Sequence, residues 1–321
     1  MSFKRLLGAG LACAMLFGGA ARAADPIQIG LIGSPQAGSW PYYVGIQKGF
    51  FAAVDLKPEI VYVRTASGLV QQLAAGSLDI CNIGVVEPIH AVARGAPVAI
   101  LRITGDVAPY EMIAAKTIKT IEELKGHTVV IGGLIDINRV YLERVLKAAG
   151  LKDSDITITI VGNTAGRFAA LKSGAADATM LLPPTNFVAE SEGYTNLGRM
   201  TKFAGDLPFG STNVSLAFAK DHADALKRFL AAFDKSIRWF NDPANREAAI
   251  DVLDHEMSSP NKPIVAQSYD FMQELKYFSN DNVIPKKRLE KLMDEMVAIG
   301  DTNGRVPLEK LVLPGVATIG D

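Results

Sequence analysis

Two segments of the chain, 98 positions apart (166 − 68), repeat the same skeleton of residues. Residues 68–79 read GLVQQLAAGSLD and residues 166–177 read GRFAALKSGAAD, with Gly, Leu, Gly and Asp in register. An apolar run precedes and follows each copy, so each predicts a strand, a helix that ends at glycine, and a second strand. This period is too long for a solenoid repeat. The pattern therefore predicts an α/β protein with two similar lobes, each with its own sheet.

The N-terminus has the composition of an export signal. Lys4 and Arg5 form a basic start, an apolar stretch follows, and residues 21–23 (Ala-Arg-Ala) have the form of a cleavage site. The apolar stretch is short for a membrane span. We therefore predict a signal peptide over residues 1–23 and a mature protein in a bacterial periplasm. A retained membrane anchor is the alternative interpretation.

The charge and cysteine content of the mature chain exclude several function classes. Removal of the leader leaves 30 basic residues (33 − 3) against 34 acidic ones, and no basic block remains. Binding to nucleic acid or to an anionic membrane therefore has no electrostatic basis. Cys81 is the one cysteine left, and the four histidines are scattered. We predict no disulfide framework, no metal site and no cofactor.

Two interruptions in the alternation of strand and helix patterns mark the predicted lobe boundaries. Strand and helix patterns alternate until residues 104–109, where Gly, Asp and Pro intervene, and a second Gly/Pro-rich interruption covers residues 204–210. Each is the expected place for a crossing between lobes. We therefore predict one lobe from residues 24–104 plus 211–321 and a second from residues 105–210. A ligand cleft lies between them, with two hinge crossings.

Open α/β sheets bind ligands at the carboxyl ends of their strands, beside helix N-termini. Applied to both repeats, this rule makes Thr65 and Asn163 equivalent positions, and Ser67 is the expected N-cap of the first repeat's helix. No catalytic residue is predicted. The residues expected to contact ligand are Ser39, Trp40, Thr65, Ser67, Gly84, Glu87, Gly133, Arg139, Asn163, Arg167, Pro183 and Asn186.

Four of these residues have a second interpretation. Trp40 either touches ligand or packs beneath the rim of the cleft. Glu87 is either a ligand acceptor or a favourable charge at a helix N-terminus. Arg139 and Arg167 each fall in the first turn of a predicted helix, where a cation opposes the helix dipole. Each arginine therefore either meets an anion in the cleft or is exposed and screened by solvent.

The sequence lacks the motifs of the common enzyme classes. It has no Gly-x-Ser-x-Gly elbow, no paired metal motif and no phosphate loop. Gly30 to Gly33 also lacks the Gly-x-Gly start of a dinucleotide-binding fingerprint. Together these absences favour a binding protein over an enzyme.

Several short motifs accompany the doubled Gly-x4-Leu-x2-Gly-x2-Asp unit. They are Trp-Pro-Tyr-Tyr at residues 40–43, Lys-Gly-Phe-Phe at 48–51, Leu-Lys-Gly at 124–126, Phe-Ala-Lys at 218–220 and Asn-Asp-Pro-Ala-Asn-Arg at 241–246. Their combination resembles the nitrate/sulfonate/taurine class of ABC-transporter solute-binding proteins, also called SsuA/THI5-like or NMT1-like. The resemblance extends over essentially the whole mature chain.

This resemblance implies a type II periplasmic binding protein, in which two α/β lobes close on a small-molecule ligand. It also implies a monomer that delivers its ligand to an ABC permease driven by an ATPase. Arg139 or Arg167 favours an anion such as a sulfonate or carboxylate, whereas Trp40 with Glu87 suits a planar heterocycle such as a thiamine pyrimidine precursor. Two further alternatives are an enzyme resembling those of thiamine pyrimidine synthesis and an exported ligand sensor.

Overall fold

The structure is a computed structural model that describes residues 24–257 and 261–320. The predicted signal peptide, residues 1–23, lies outside the described residues. The strands are β1 (Asp25–Ile32), β2 (Leu56–Val63), β3 (Ile80–Gly84), β4 (Val98–Gly105), β5 (Glu111–Ala114), β6 (Thr128–Ile131), β7 (Thr157–Ile160), β8 (Ala178–Leu181), β9 (Thr195–Arg199), β10 (Gly210–Ser215), β11 (Val283–Pro285) and β12 (Thr318–Gly320). The helices are α1 (Trp40–Gln47), α2 (Ala66–Ala74), α3 (Val86–Ala93), α4 (Ile137–Ala148), α5 (Thr164–Lys172), α6 (Thr185–Ser191), α7 (Thr201–Ala204), α8 (Leu216–Asp221), α9 (Ala223–Asn241), α10 (Arg246–Glu256), α11 (Lys262–Glu274), α12 (Lys286–Ala298) and α13 (Leu308–Leu311).

The strands form two five-stranded sheets of matching design. The first has the order β2-β1-β3-β10-β4 and the second β7-β6-β8-β5-β9. Strands β10 and β5 run antiparallel to their neighbours in an otherwise parallel arrangement. Strand β5 follows the chain's first passage from one sheet to the other, and β10 follows its return. The alternation of helices with these mixed sheets confirms the predicted α/β class.

The helices of the two repeat copies begin and end in the same way. The Thr65 hydroxyl accepts a hydrogen bond from the Gly68 amide at 3.1 Å, and the Asn163 side chain accepts one from the Gly166 amide at 2.8 Å. Each is the N-cap of its helix, so Thr65, and not the expected Ser67, caps α2. Both helices are followed by a glycine with positive φ, which is 74° in one copy and 73° in the other. Glycine adopts that left-handed conformation without steric cost.

The aspartate that closes each repeat ties its strand to the neighbouring one. Asp79 accepts a hydrogen bond from the Gln28 amide at 2.8 Å, and its own amide donates to the Gln28 carbonyl at 3.0 Å. Asp177 makes the same pair of bonds with Thr128, at 2.8 Å each. The recurring Asp is therefore explained by strand pairing and not by ligand binding.

A cluster of aromatic side chains packs the long helix α9 against α1 and the residues that follow α1 in the first lobe. The Phe233 ring lies 4.4 Å from the Tyr42 ring, and the Phe229 ring is stacked 5.6 Å from Phe51. All four side chains are buried. Burial of one such side chain is worth about 1.5–3 kcal/mol, so this contact fixes the outer wall of the first lobe firmly.

Candidate functional site

A small cavity of about 50 Å³ lies between the two lobes. Residues near the ends of β1, β3 and β10 line one side, and the N-terminal turns of α4 and α5 line the other. Two larger hollows, of about 450 and 430 Å³, surround Arg305 and include no residue of the second sheet. We place the site in the cleft because only a ligand that contacts both lobes can couple binding to closure. The residues that line the cavity include Asn82, Gly84, Glu87, Tyr110, Asp136, Gly162, Asn163, Arg167, Gly210 and Tyr277.

Arg167 places a buried positive charge at this cavity. Its side chain is 2 % exposed, and Nε and Nη2 donate to the Met180 carbonyl at 3.3 and 3.2 Å. Nη2 also donates to the Thr164 hydroxyl at 3.2 Å. None of the ion pairs found within the described residues includes Arg167, whereas the similarly buried Arg102 is paired with Asp234. Neutral oxygens therefore orient the Arg167 guanidinium without neutralising its charge, which leaves it able to attract an anion.

Two carboxyl groups face the same cavity. Glu87, in the first turn of α3, is 5 % exposed, and its Oε2 atom has no hydrogen-bond partner within the described residues. Burial, reinforced by the nearby Asp136 carboxyl, raises the pKa of Glu87 well above its usual range. Burial also raises the pKa of Asp136, against the opposing effects of Asn138 and Arg167. Burial at the cavity therefore favours the protonated form of both carboxyl groups, because a buried charge is costly.

Asp136 also holds the start of α4 in place. Its Oδ1 atom accepts hydrogen bonds from the Asn138 amide at 2.8 Å and from Asn138 Nδ2 at 2.6 Å. Asn138 Nδ2 in turn donates to the Tyr110 hydroxyl at 3.2 Å. Burial raises the pKa of Tyr110 to about 12. The hydroxyl thus remains neutral, and the three residues form a fixed polar wall on the second lobe.

Two residues of the first lobe complete the cavity. Asn82, in β3, donates from Nδ2 to the Gly38 carbonyl at 3.2 Å, and its buried Oδ1 atom has no hydrogen-bond partner in the part of the chain that the structure describes. Tyr277 approaches from the loop after α11, and a methyl group placed on Gly105 would lie 2.4 Å from its hydroxyl oxygen. Sequence reasoning missed both. A polar Asn within the apolar strand was the available signal for the first, and no local pattern marks the second.

The two lobes touch around the cavity. The Ala37 amide donates a hydrogen bond to the Pro183 carbonyl at 3.1 Å across the cleft. A methyl group on Gly33 would lie 3.2 Å from the Asn163 side chain, and one on Gly84 would lie 3.1 Å from Ile137. Contacts this short between opposite sides of the cleft describe a closed conformation. A second hollow of about 170 Å³, which includes Asn163, lies at its mouth.

Six of the twelve predicted ligand residues lie at or beside the cleft. The cavity is lined by Gly84, Glu87, Asn163 and Arg167. Thr65 and Pro183 lie at the points where the lobes touch. The structure does not bring the other six into the cavity, and the reasons differ from one residue to the next.

Trp40 and Ser39, which the sequence predicts to contact ligand, do not line the cavity in this structure. Trp40 is fully buried, and its indole Nε1 donates to the Ala249 carbonyl at 2.7 Å. Its ring lies 5.1 Å from Phe240 and 5.8 Å from Tyr269. Ser39, at the start of the same helix, is 2 % exposed. Helix α1 thus directs its first residues into the core.

Arg139 and Asn186 are also directed away from the cavity by other partners. Arg139 donates to Glu143 at 3.1 Å and also contacts Asp153, so its charge is already paired. Asn186 is fully buried and donates to Glu111 at 2.6 Å. Both residues therefore have structural roles within the second lobe.

Ser67 and Gly133 lie outside the cavity for simpler reasons. Ser67 is exposed and lines an outer hollow beside α2. Gly133 is partly exposed in the loop after β6, where a methyl group would lie 3.5 Å from Asp136. Gly133 is thus close to Asp136 but does not line the cavity.

The chain matches a known protein family over more than half of its length. The family model described as NMT1/THI5 like matches residues 36–245. This chain belongs to the NMT1/THI5-like family. A putative aliphatic sulfonates-binding protein of Escherichia coli (strain K12) is 28 % identical to it over an alignment of 280 residues, and the match covers 76 % of this chain and 85 % of the relative. The resemblance to this family that the sequence indicates is therefore confirmed.

Solved structures share the same fold. The ligand-binding component of an ABC-type import system from Staphylococcus aureus, solved with zinc bound, superposes with a TM-score of 0.78 at 16 % identity, covering 91 % of this chain and 97 % of the other. The periplasmic aliphatic sulphonate-binding protein SsuA from Escherichia coli gives a TM-score of 0.69 at 21 % identity, covering 92 % and 94 %. These structures confirm the predicted periplasmic binding protein fold.

Two kinds of feature are absent from the described residues. Over residues 24–257 and 261–320, no helix is long and apolar enough to cross a membrane. Within the same residues, no group of three or more His, Cys, Asp or Glu side chains is arranged to hold a metal ion.

Proposed function

We propose that this NMT1/THI5-like protein is the exported solute-binding component of an ABC importer and that it captures a small anion. The observation that carries the proposal is Arg167, a buried guanidinium that has no carboxylate partner among residues 24–257 and 261–320, placed at a cavity between two lobes. The sulfonate-binding relative from Escherichia coli supports the same ligand class. The anionic group of the ligand binds to Arg167 by charge-assisted hydrogen bonds.

Closure of the two lobes is the conformational change that ligand binding produces. Residues 24–104 with 211–321 move as one body and residues 105–210 as the other, about the two crossings between the sheets. A ligand that contacts Arg167 on one lobe and Glu87 on the other interacts fully only with the closed form. It therefore shifts the equilibrium toward closure by its difference in affinity for the two states.

The partners and location follow from this role. The closed form is presented to a membrane permease that a cytoplasmic ATPase drives, and the protein acts as a monomer in the periplasm. The leader at residues 1–23 accounts for export. No catalytic step is needed, so the ligand leaves the protein chemically unchanged.

A thermal-shift panel on the mature chain tests the proposal. The panel contains alkanesulfonates, nitrate, aliphatic and aromatic carboxylates, and pyrimidines, after refolding to remove any ligand carried through purification. A ligand at one hundred times its dissociation constant adds about 2.7 kcal/mol to the free energy of unfolding. We expect at least one class of small anion to raise the melting temperature. If only neutral pyrimidines do so, the assignment of an anion is wrong.

Recovery of the bound ligand separates a binding protein from an enzyme. After hours of incubation with catalytic amounts of protein, mass spectrometry should recover the ligand unchanged. A product that accumulates over many turnovers would instead support the alternative of an enzyme related to thiamine pyrimidine synthesis. A sensor hands its ligand-bound form to a signalling receptor, whereas an importer component hands it to a permease. Capture of the ligand-bound form by permease-containing membranes would therefore support the importer role over the sensor role.

A further inference from the structure

An exposed Asn-Gly pair lies in the loop between α12 and α13, far along the chain from the cleft residues. Asn303 is the one asparagine of the sequence that glycine follows. Both residues are exposed, and they line the hollow of about 450 Å³ in the first lobe. Over residues 24–257 and 261–320, the Asn303 side chain has no hydrogen-bond or ion-pair partner. Neither packing nor hydrogen bonding therefore restrains this side-chain amide.

The backbone amide of Gly304 is equally unrestrained. Its N–H group donates no hydrogen bond to any residue that the structure describes. A methyl group placed on Gly304 would meet no atom within 4 Å. The Gly304 nitrogen can therefore approach Asn303 Cγ by rotation of a backbone that glycine leaves flexible. A larger residue at position 304 would shield that nitrogen and restrict the same rotation.

We infer that Asn303 is a site of spontaneous deamidation, in which aspartate or isoaspartate replaces the asparagine. The Gly304 nitrogen forms a bond to Asn303 Cγ, the Cγ–Nδ2 bond breaks, and ammonia leaves with the proton of the Gly304 amide. Water then opens the resulting cyclic imide. Cleavage between the ring nitrogen and Cγ gives aspartate, and cleavage between the nitrogen and the main-chain carbonyl carbon gives isoaspartate. Both steps are redox-neutral and need no reagent besides water.

The positive charges around the loop favour this reaction. Arg94 and Lys310 line the same hollow, and neither forms an ion pair within the part of the chain that the structure describes. Arg305 also lines it, although Asp294 already contacts that guanidinium at 2.6 Å. The positive potential of these side chains stabilises the negative charge that develops on the attacking nitrogen. It also stabilises the new carboxylate, which adds one negative charge to the chain.

Isoaspartate would lengthen a loop that is anchored at both ends. Asp301 contacts His90 of α3 at 2.7 Å, and Arg305 makes two hydrogen bonds to Asp294 of α12, each of 2.6 Å. Isoaspartate adds one backbone atom between these anchors, which the short connection must absorb or pass on to one of them. We therefore expect isoaspartate to lower the stability of the first lobe. Aspartate keeps the normal backbone and should leave the stability unchanged.

Peptide mapping of the mature protein tests the inference. The protein is incubated at mildly alkaline pH and digested with trypsin. Tandem mass spectrometry then follows the replacement of –NH2 by –OH, and electron-transfer fragmentation distinguishes aspartate from isoaspartate. The tryptic peptide 292–305 contains Asn303 as its one asparagine. Asn280 is the internal control, because it is also exposed but precedes Asp281 and accepts a hydrogen bond from Asn241 at 2.9 Å. Asn303 should be converted at least about tenfold faster than Asn280.

Two variants test the mechanism and its consequence. Gly304→Val should slow the conversion at least about tenfold, because a β-branched residue crowds and stiffens the backbone at the attacking nitrogen. Asn303→Asp reproduces the charge of the product on a normal backbone, so its melting temperature should match that of freshly purified protein. The incubated protein should melt at a lower temperature as its isoaspartate content rises.

The outcomes that would overturn the inference are distinct. An Asn303 that stays intact, or that is converted no faster than Asn280, would contradict the site, and this comparison needs no variant. Equally fast conversion in Gly304→Val would contradict attack by the Gly304 nitrogen. An unchanged melting temperature in protein rich in isoaspartate would contradict the expected effect on the anchors. Ligand binding enters none of these measurements, so they do not depend on the proposed function.

Discussion

Gly162 of the second lobe lies directly against Thr65 of the first. A methyl group on Gly162 would lie 2.7 Å from Thr65 Cγ2 and 3.0 Å from the Arg64 carbonyl oxygen. The backbone oxygen cannot rotate away as a side chain can, so a larger residue at position 162 is tolerated only if the lobes separate. The absence of a side chain at Gly162 is therefore a requirement of the closed form.

Gly162→Val should weaken ligand binding without destabilising either lobe. If the variant adopts the closed form in only a small fraction of molecules, its apparent affinity falls in proportion to that fraction. We therefore expect the dissociation constant to rise about tenfold or more. Unfolding stability should change by less than about 0.5 kcal/mol. Calorimetry and denaturant unfolding measure the two quantities. Gly304→Val is the control, because a methyl group there meets no atom within 4 Å. Unchanged affinity in Gly162→Val would contradict the closed arrangement.

The two arginines that looked alike in the sequence should behave differently on substitution. Arg167→Met removes the unpaired guanidinium at the cavity, and we expect the dissociation constant for the anion to rise about 10- to 100-fold, the equivalent of one or two charged hydrogen bonds. Arg139→Met removes a cation already paired with Glu143 and Asp153, so the affinity should stay the same. Titration of both variants checks this contrast. Equal losses in the two variants would argue against a specific anion site at Arg167.

Trp40→Phe separates a core role from a ligand role. The substitution removes the hydrogen bond from Nε1 to the Ala249 carbonyl and part of the contact with Phe240 and Tyr269. We expect the free energy of unfolding to fall by about 1–2 kcal/mol, with the ligand affinity unaffected. The chain's other tryptophan, Trp239, is partly exposed, so Trp239→Phe should lower the free energy of unfolding by less. A loss of affinity without a loss of stability in Trp40→Phe would restore the original expectation.

The second lobe should contain a pH-sensitive carboxyl group away from the cavity. Burial, followed by the neighbouring Glu111, raises the pKa of Glu190 to about 7. A group whose pKa is higher in the folded state stabilises the fold while it is protonated. Its contribution is thus complete below the ordinary glutamate pKa of about 4.3 and is lost as the pH rises toward 7.

Glu190→Gln should remove this pH dependence. Relative to the unmodified protein, the variant should gain stability progressively between about pH 4.3 and pH 7, with little further change above that window. Denaturant unfolding across the pH range provides the measurement. A stability difference that stays constant with pH would show that Glu190 does not titrate in this window.

Local sequence patterns were sufficient for the parts of the structure that depend on neighbouring residues. The repeat predicted two equivalent units, and Thr65 and Asn163 do cap equivalent helices. The same pattern explains Asp79 and Asp177, whose bonds to adjacent strands recur in both copies. Capping and strand pairing are set by spacing, which one sequence displays directly.

The direction of a side chain at a helix start could not be read in the same way. Trp40, Arg139 and Arg167 all fall in first turns, yet they point to the core, to surface acids and to the cleft respectively. The Trp40 hydrogen bond joins positions 209 residues apart. Which side of a helix faces the cleft depends on such distant packing, and a single sequence contains no local signal of it.

Residues that arrive at the cavity from distant segments were missed for a related reason. Asn82 lies inside a strand that reads as plain core, and Tyr277 reaches the cavity from beyond α11. Helix α11 itself has Asn261 as its N-cap and Pro263 in its first turn, residues that in isolation are typical of a turn. The Asn261 side chain caps the helix by accepting a hydrogen bond from the Ile264 amide at 3.3 Å.

Ligand-driven closure of the two lobes can be measured by small-angle X-ray scattering of the mature protein with and without a saturating anion. The anion with the largest thermal shift should reduce the radius of gyration of the unmodified protein and should have no such effect on Arg167→Met. Identical scattering curves with and without a ligand that calorimetry shows to be bound would contradict ligand-driven closure.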